Sequence, residues 1–285
     1  MSDFRIDQIT NQAGTAGPQI AGITTFSGSS GLVMPSGDTF RRNVLDDVVT
    51  DGLVLYLDAG NDISYPGSGT LWRDLSEELN NGILINSPLF SSNYISFNGT
   101  NQNVEIPYSK SPFRQTSAIT YSFLIKINSF GLNQSANIAG TRVSSGNGTG
   151  GITILKNLLG EESIRFNWTP TTPQTDNQIS SKLINSSINN WNHFTFTYDY
   201  NNVQSWKFYQ NGILLPNREW FVNNVTNAIP FTSYNQSAND TIGSRYVNSM
   251  SYTNCNISNF SLYNRALTPQ EIQQNFNALK GRYGL

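Results

Sequence analysis

Carboxylates that could share acid–base chemistry are scarce in this sequence. A retaining glycosidase needs two carboxyl groups about 5 Å apart, commonly supplied by a Glu-x-Asp-x-x-Glu run on one strand, where alternate residues share a face. No such run occurs in the 285 residues. We expect Glu77-Glu78 to lie in a turn, and both this pair and Glu161-Glu162 to be solvated charges, because adjacent strand residues point to opposite faces. The sequence therefore disfavours an enzyme.

The chain has too few histidines and cysteines for most nucleophilic or metal-binding sites. His193 is the only histidine and Cys255 the only cysteine, so any Ser-His-Asp or Cys-His arrangement must use His193. His193 stands at the start of a predicted strand, and we expect it to make a structural hydrogen bond. One histidine and one cysteine cannot supply the usual four ligands of a zinc site, and a single cysteine cannot form an intrachain disulfide. We expect Cys255 to be buried and unreactive.

Sugar binding is the chemistry that the remaining side chains favour. Saccharides bind exposed aromatic faces that have amide and hydroxyl groups beside them. Four aromatic residues lie in or beside polar stretches and are candidates for such a site: Trp168, Trp220, Phe221 and Tyr234. Each could equally belong to the core or to a subunit interface.

Charge and hydropathy exclude other functions. Charged residues make up 13% of the chain, against about 25% in ordinary soluble domains. The 17 basic and 19 acidic residues show no basic cluster, so the phosphate-neutralising charge of a nucleic-acid-binding protein is missing. Neither a secretory signal nor an apolar run of about 18 residues is readable, and we expect no membrane insertion.

Short apolar runs bounded by turn signals indicate an all-β fold from about residue 51 onward, as expected for antiparallel sheets packed face to face. The predicted strands are 53–58, 82–86, 94–99, 103–107, 118–128, 137–143, 151–157, 163–169, 193–200, 205–212, 240–245 and 256–264. Phe123, Ile125 and Ile127 alternate with other residues, as do Phe194 and Phe196, so each row should enter the core. We therefore predict one sandwich over residues 45–285.

A hairpin turn and a helix are predicted from local signals. Asn211-Gly212 between two apolar runs is the signature of a type I′ turn, since both residues tolerate positive φ. Near the end, Thr268 as N-cap, Pro269 at the first helical position and Glu271 three residues after the cap form a capping box. One helix face then carries Ile272, Phe276 and Leu279, and the helix should end at Gly281.

Residues 1–44 form a different segment, which we call the arm. Gly and Pro interrupt it every few residues, so it buries too little apolar area to offset its own ordering entropy of about 1 to 2 kcal/mol per residue. The arm is either a floppy tail or is ordered by a partner. Six isolated apolar residues favour the partner, because a linker would not need them: Ile20, Ile23, Phe26, Leu32, Val33 and Met34.

Four ordered motifs carry a resemblance to a known family. WNHFTFTYD, SWKFYQNGILL, DTIGSR and NISNFSLYNRALTPQEIQQNF follow one another, and together they resemble the closing half of laminin-G-like, concanavalin A-like jelly-roll domains. The opening segments LVLYLDAGNDISYPGSGTLWRDLS, NGILIN and ISFNGTNQNVEI resemble the first strands of such domains in bacteriophage virion proteins. The resemblance covers about residues 50 to 285. It implies an all-β laminin-G/concanavalin A-like β-sandwich with an extended N-terminal arm and a short C-terminal helix.

The resemblance also implies the fate of several side chains. Trp72 and Trp191 match family positions that usually pack inside. Laminin-G-like folds often hold calcium at one rim, and the candidate ligands at strand ends here are Asp58, Asp62, Asp74 and Asp240. Ordinary turn-forming roles are the alternative for these residues, and we predict no obligatory cofactor. Thr253-Asn254-Cys255-Asn256 stands where the family usually places a Gly before the last core strand, so the local turn should differ.

The arm carries a resemblance of its own. FRIDQITNQAGTAGPQIAGITTFSGSSGLVMPSGDT resembles the amino-terminal arms of structural proteins in tailed phages of cyanobacteria. This implies a virion protein whose arm docks on other virion proteins and whose sandwich faces outward as a fibre, neck or decoration protein, binding a host-surface glycan, in a homo-oligomer expected to be a trimer. The alternatives are a free lectin or glycan-active enzyme, and a purely structural spacer.

Overall fold

The structure is a computed structural model of the chain. It describes residues 47–107, 109–110, 112–113, 117–131, 134–141, 149–169, 177–202, 205–221, 239–245 and 251–285, with the backbone alone at 149, 168–169, 177 and 217–221. The predicted arm with its six apolar residues lies outside the described residues. The domain boundary after residue 44 therefore stays a prediction.

The described residues contain seventeen strands and one helix. Every predicted strand overlaps one of the observed strands. The strands are β1 Leu53–Asp58, β2 Leu71–Trp72, β3 Gly82–Ile85, β4 Leu89–Ser91, β5 Tyr94–Asn98, β6 Asn103–Ile106, β7 Ala118–Ser129, β8 Ser135–Thr141, β9 Thr149–Lys156, β10 Glu162–Thr169, β11 Asn177–Lys182, β12 Trp191–Asp199, β13 Lys207–Gln210, β14 Ile213–Leu214, β15 Asn217–Phe221, β16 Asp240–Ile242 and β17 Asn254–Tyr263. The helix, α1, spans Pro269–Lys280. Within the described residues, no helix has both the length and the apolar character needed to span a membrane.

Two antiparallel sheets form the fold, as the sequence predicts. The first, which we call the front sheet, has the order β14-β13-β12-β7-β17-β5-β4, with β1 also paired to β17. The second, the back sheet, has the order β15-β11-β10-β9-β8-β16-β6-β3-β2. The pairing of β1 with β17 holds the two ends of the domain together, because strands far apart in the chain exchange their backbone hydrogen bonds.

The main core lies between the two sheets. Phe123, Ile125 and Ile127 of β7 are at most 1% exposed, and Phe194 and Phe196 of β12 are fully buried beside them. The ring of Phe166 on β10 stacks on that of Phe196 at 4.4 Å between centroids, so the back and front sheets meet through aromatic contacts. Burying such a side chain contributes about 1.5 to 3 kcal/mol. The predicted core rows are confirmed.

Helix α1 builds a second core on the outer face of the front sheet. Ile272 and Leu279 of the helix pack with Leu124 of β7, Tyr209 of β13 and Tyr263 of β17. As a result Leu124, Thr195 and Thr197 are buried as well, although alternation alone would place them in solvent. Strand β12 is buried on both faces because the sandwich covers one and the helix covers the other.

The predicted Asn211-Gly212 turn is confirmed between β13 and β14. Asn211 has φ 52° and Gly212 has φ 77°, the two positive values that a type I′ turn requires. A Cβ added at Gly212 would lie 2.8 Å from Oε1 of Gln273 and 3.1 Å from the ring of Phe276. Both the backbone angle and the close approach of α1 therefore favour glycine at this position.

The predicted capping box at the start of α1 is also confirmed. The Thr268 side chain accepts a hydrogen bond from the backbone N–H of Glu271, and the Thr268 N–H donates to Oε2 of Glu271 at 2.8 Å. The helix ends at Lys280, one residue before Gly281.

A Thr268→Ala variant is expected to lower the free energy of unfolding by about 1 kcal/mol, because it removes the cap acceptor at a helix start. Urea unfolding followed by circular dichroism measures the change. Thr268→Ser retains the hydroxyl and is the control, which should stay within about 0.5 kcal/mol of wild type. Equal losses in both variants would contradict a role for the cap.

Candidate functional site

The predicted sugar-binding residues fall on the back sheet or outside the described residues. Trp168 lies on β10 with its Cα opposite Asn177, and Trp220 lies on β15 with its Cα opposite Ile179. Strand β11 separates them, and only their backbone is described. Phe221 follows Trp220 on β15, and Tyr234 lies outside the described residues. A glycan site built on these rings stays a prediction.

Two of the four candidate calcium ligands have structural roles. Asp58 is completely buried and accepts hydrogen bonds from both terminal nitrogens of Arg282, at 2.5 and 2.7 Å, and from the Tyr56 hydroxyl at 3.0 Å. Asp74 accepts from the backbone N–H groups of Tyr56 and Asn80, both at 2.7 Å. Both carboxylates hold turns and strands in place, which is the turn-forming alternative that the sequence offered.

The other two candidate calcium ligands differ in exposure. Asp62 is exposed, whereas Asp240 is completely buried and accepts a hydrogen bond from the Phe113 N–H at 3.3 Å. Among the described residues, no three His, Cys, Asp or Glu side chains come together in a group that could hold a metal ion. The described carboxylates therefore do not assemble the calcium rim that the resemblance implied.

His193 makes a structural hydrogen bond, as predicted. Its Nε2 lies 2.9 Å from the Ser122 hydroxyl, and both residues are 1% exposed. The ring of Phe276 on α1 lies 5.8 Å away. Burial lowers the pKa of His193 to about 4, and Nδ1 has no hydrogen-bond partner among the described residues. The Ser122–His193 pair is thus buried beneath α1, and none of the described carboxylates contacts Nδ1 to complete a Ser-His-Asp arrangement.

The prediction that Glu161 and Glu162 are solvated is wrong for Glu162. Glu162 is 7% exposed, and its carboxylate accepts hydrogen bonds from the Ser186 hydroxyl at 2.8 Å and the Ser187 N–H at 2.6 Å. It therefore ties β10 to the loop that leads into β12. Glu161 pairs with Lys182. Glu77 and Glu78 are exposed, as predicted.

Cys255 is buried, as predicted. It is fully inaccessible on β17, and burial raises the pKa of its thiol well above the ordinary range. A neutral thiol without solvent access is a poor nucleophile, because the thiolate is the reactive form. Cys255 therefore belongs to the core.

The two tryptophans that are expected to pack inside differ in their burial. Trp72 is fully buried in the main core, which confirms that prediction. Trp191 is only partly buried, and it pairs in register with Lys126 on the outer face of the front sheet. Its indole stacks on the ring of Tyr283 at 3.8 Å between centroids and meets the ring of Tyr94 at 5.5 Å in a T-shaped contact. Trp191 therefore belongs to a partly exposed aromatic cluster with Tyr94 and Tyr283.

Amide side chains lie next to this aromatic cluster. Asn128 of β7 donates through Nδ2 to the side-chain oxygens of Asn254 and Asn256 of β17, each at 3.1 Å. Ser96 of β5 donates to the same oxygen of Asn256 at 2.8 Å. These contacts fix both β17 amides with their oxygens turned toward β7 and β5.

We call the combined patch the amide–aromatic surface. It consists of Tyr94, Lys126, Asn128, Trp191, Asn254 and Asn256. It joins partly exposed rings to fixed amide donors on a rigid sheet, and these are the components that recognise the apolar and hydroxyl faces of a sugar. Sequence reasoning missed it, although the alternation Asn254-x-Asn256 indicates two polar side chains on one strand face.

Comparison with known families identifies the fold. The concanavalin A-like lectin/glucanases superfamily matches residues 98–273, which is more than half of the chain. The chain belongs to this superfamily. The match runs from the end of β5 into α1, and it includes the strands of the four ordered motifs. The concanavalin A-like sandwich expected from those motifs is confirmed.

Solved structures share this concanavalin A-like fold at low sequence identity. A Trypanosoma rangeli sialidase in complex with sialic acid has a TM-score of 0.55 and 18% identity, over 82% of this chain and 34% of that chain. The binding domain of botulinum neurotoxin serotype D/C has a TM-score of 0.54 and 18% identity, over 80% of this chain and 52% of that chain.

A third structure concerns the cell entry of botulinum neurotoxin type C, which is dependent on interaction with two ganglioside molecules. This structure has a TM-score of 0.54 and 18% identity, over 83% of this chain and 52% of that chain. The chain spans between a third and about half the length of these structures. At these identities the likeness shows the fold alone. Among curated proteins no match was found.

Proposed function

We propose that this chain is a structural protein of a tailed-phage virion, in which the arm anchors a concanavalin A-like sandwich that binds a host-surface glycan. The observation that carries the proposal is the contrast between two parts of the chain. The sandwich has one core between its sheets and another under α1. The arm carries six isolated apolar residues in a Gly- and Pro-rich segment that cannot build a core of its own.

The glycan-binding part of the proposal is supported by the superfamily and by the amide–aromatic surface. The solved neurotoxin structure that shares the fold concerns an interaction with gangliosides. In this chain, Tyr94 and Trp191 offer partly exposed rings beside the amides of Asn254 and Asn256. Side chains held on strands keep the positions that selective recognition of a sugar requires.

A non-catalytic role is part of the same proposal. Four carboxylates among the described residues act as structural acceptors or ion-pair partners: Asp58, Asp74, Glu162 and Glu271. His193 is sealed beneath α1. A free lectin or glycan-active enzyme is the alternative, and a structural spacer that binds no sugar is the third candidate. We also propose a homo-oligomer, expected to be a trimer, in which neighbouring copies complete the apolar contacts of the arm.

Charged substitutions within the arm distinguish the virion-protein hypothesis from the free-lectin hypothesis. Phe26→Asp or Met34→Asp is expected to reduce incorporation into particles, because a charge placed in an apolar pocket costs several kcal/mol. Co-sedimentation of the tagged chain with purified particles measures the effect. Ser27→Asp, next to Phe26, adds the same charge at a polar position and is the control. Normal incorporation of both apolar-site variants would refute the proposed anchoring contacts.

Deletion of residues 1–44 tests the arm as a whole. The shortened chain should retain the circular dichroism spectrum of the sandwich and fail to sediment with particles. If it sediments as well as the full chain, the arm is not the anchor. A free lectin would keep its location after the same deletion.

A further inference from the structure

Lys126 provides a positive charge on the amide–aromatic surface. It lies on β7 between Trp191 of β12 and Asn256 of β17, and it is partly exposed. Its ammonium lies over the indole of Trp191, 5.7 Å from the ring centroid. Among the described residues, no carboxylate lies within 4 Å of this ammonium. The charge therefore has an aromatic neighbour but no acidic partner in the described part of the chain.

The amides next to Lys126 also present donors. Because the oxygens of Asn254 and Asn256 accept from Asn128, their Nδ2 groups turn away from that contact. Within the described ranges neither Nδ2 has a protein acceptor, and neither is among the fully buried polar atoms, so both donors are open to solvent. Two accessible amide donors beside an ammonium without an acidic partner can bind the acceptor groups of a ligand.

The register makes these groups one continuous surface. Trp191 pairs with Lys126, Lys126 with Asn256, and Asn256 with Ser96, in a single row across β12, β7, β17 and β5. Neighbouring strands are about 4.8 Å apart, so the row extends over about 14 Å. A ring at one end, a cation next to it and amides beyond could contact different groups of one extended ligand.

We propose that the amide–aromatic surface binds an anionic oligosaccharide, with Lys126 as counter-ion to a carboxylate or sulfate group. The amide donors of Asn254 and Asn256 bind hydroxyl or ring oxygens, and the partly exposed ring of Tyr94 contacts the apolar face of a sugar, while Trp191 holds Lys126 beside it. This inference rests on the proposed glycan-binding function and deepens it by naming the class of glycan. A polyanion such as nucleic acid is a poor occupant, because one lysine among neutral amides neutralises a single charge.

The test is glycan-array binding by the full chain. The array carries oligosaccharides with uronic acids, nonulosonic acids or sulfate esters, each beside its neutral parent, so that carboxylate and sulfate sources are separated. Wild type should bind at least one acidic glycan and bind its neutral parent about tenfold less tightly, the effect of losing one charge-assisted hydrogen bond. Binding should also weaken as salt is raised from 50 to 500 mM.

Two variants test the residues, and each is designed to fold. Lys126→Met keeps an apolar stem over Trp191 and should reduce acidic-glycan affinity about tenfold, to the level of the neutral parent. Asn256→Asp retains oxygens that accept from Asn128 and Ser96 but replaces the outward donor with a negative charge, so it should abolish binding. Lys207→Met, at an exposed lysine of β13 in the same sheet, is the matched control and should bind like wild type.

The outcomes distinguish the inference from the proposed function. If wild type binds no glycan of any kind, the glycan-binding function fails and this inference fails with it. If wild type binds only neutral glycans, or if Lys126→Met binds acidic glycans as tightly as wild type, the inference is overturned while the glycan-binding function stands. Loss of acidic-glycan binding in both variants, with the Lys207→Met control intact, supports the inference.

Discussion

An Arg282→Ala variant is expected to unfold with a free energy about 3 to 5 kcal/mol lower than that of wild type, because it leaves the carboxylate of Asp58 buried without its counter-ion. Asp58 is 0% exposed, and the Arg282 guanidinium contacts both of its oxygens, at 2.5 and 2.7 Å. Tyr56 and Gly60 also donate to this carboxylate, but neither carries a positive charge. Urea unfolding at pH 7 measures the loss.

A double-mutant cycle separates the effect of the unpaired Asp58 charge on stability from the effect of losing the Arg282 packing contacts. Asp58→Asn removes the buried charge, so Asp58→Asn/Arg282→Ala is expected to be more stable than Arg282→Ala alone. Arg73→Ala, at an exposed arginine, is the control for loss of a guanidinium and should change stability by no more than about 0.5 kcal/mol. A loss below 1 kcal/mol in Arg282→Ala would mean that water or another group replaces the ion pair.

The Asp58–Arg282 pair also links the fold to the candidate site. Arg282 immediately precedes Tyr283, whose ring stacks on Trp191 and whose hydroxyl donates to the Asn93 carbonyl at 2.9 Å. The pair thus anchors the segment after α1 to β1, and this segment in turn orients the indole on the outer face of the front sheet. Loss of Arg282 should therefore disturb the amide–aromatic surface as well as stability.

Much of the sandwich follows from local sequence signals. In β7 and β12 the alternation of aromatic and aliphatic residues predicts which row enters the core, and Phe123 and Phe194 are buried accordingly. The Asn211-Gly212 turn and the Thr268 cap are equally local, since each depends on the backbone preference of two to four residues. Signals that depend on neighbours in the sequence are therefore reliable here.

Elements that depend on distant neighbours could not be predicted. Strand β11, NQISSK, has a single apolar residue, and it becomes a strand because β10 and β15 satisfy its backbone on both sides. Glu162 is buried because the Ser186–Ser187 segment returns to it from 24 residues away. The sequence around β11 and the sequence around Ser186 and Ser187 both have the pattern of an ordinary polar loop.

The candidate site illustrates the same limit. Trp191 lies on the outer face of the front sheet and is partly buried there because Tyr283, which lies 92 positions later in the chain, stacks on its ring. The row of Trp191, Lys126, Asn256 and Ser96 combines four strands that are not consecutive in sequence. Only the alternation of Asn254 and Asn256 is visible within one strand, and it indicates a polar face without naming what that face binds.

The contribution of His193 to the free energy of unfolding is expected to fall by roughly 3 kcal/mol as the pH drops from 6.5 to 4. Burial lowers the pKa of His193 to about 4 in the folded chain, whereas an unfolded chain binds the proton near pH 6.5. The unfolded state therefore gains a proton first as the pH falls. The stabilisation is complete above pH 6.5 and is lost progressively down to the folded pKa.

Comparison of wild type with His193→Gln isolates this contribution, because the chain has no other histidine. Gln can still hydrogen-bond to the Ser122 hydroxyl, so the variant should fold, and carboxylates that titrate near pH 4 contribute equally to both chains. The pKa of Glu271, held at about 2 by Arg265, lies below the window. The difference in unfolding free energy between the two chains should therefore be constant above pH 7 and shift by roughly 3 kcal/mol, in favour of the variant, between pH 6.5 and 4. The single histidine signal in an NMR titration of the folded protein provides a second measurement, and a midpoint near pH 6.5 would show that α1 does not seal the ring from water.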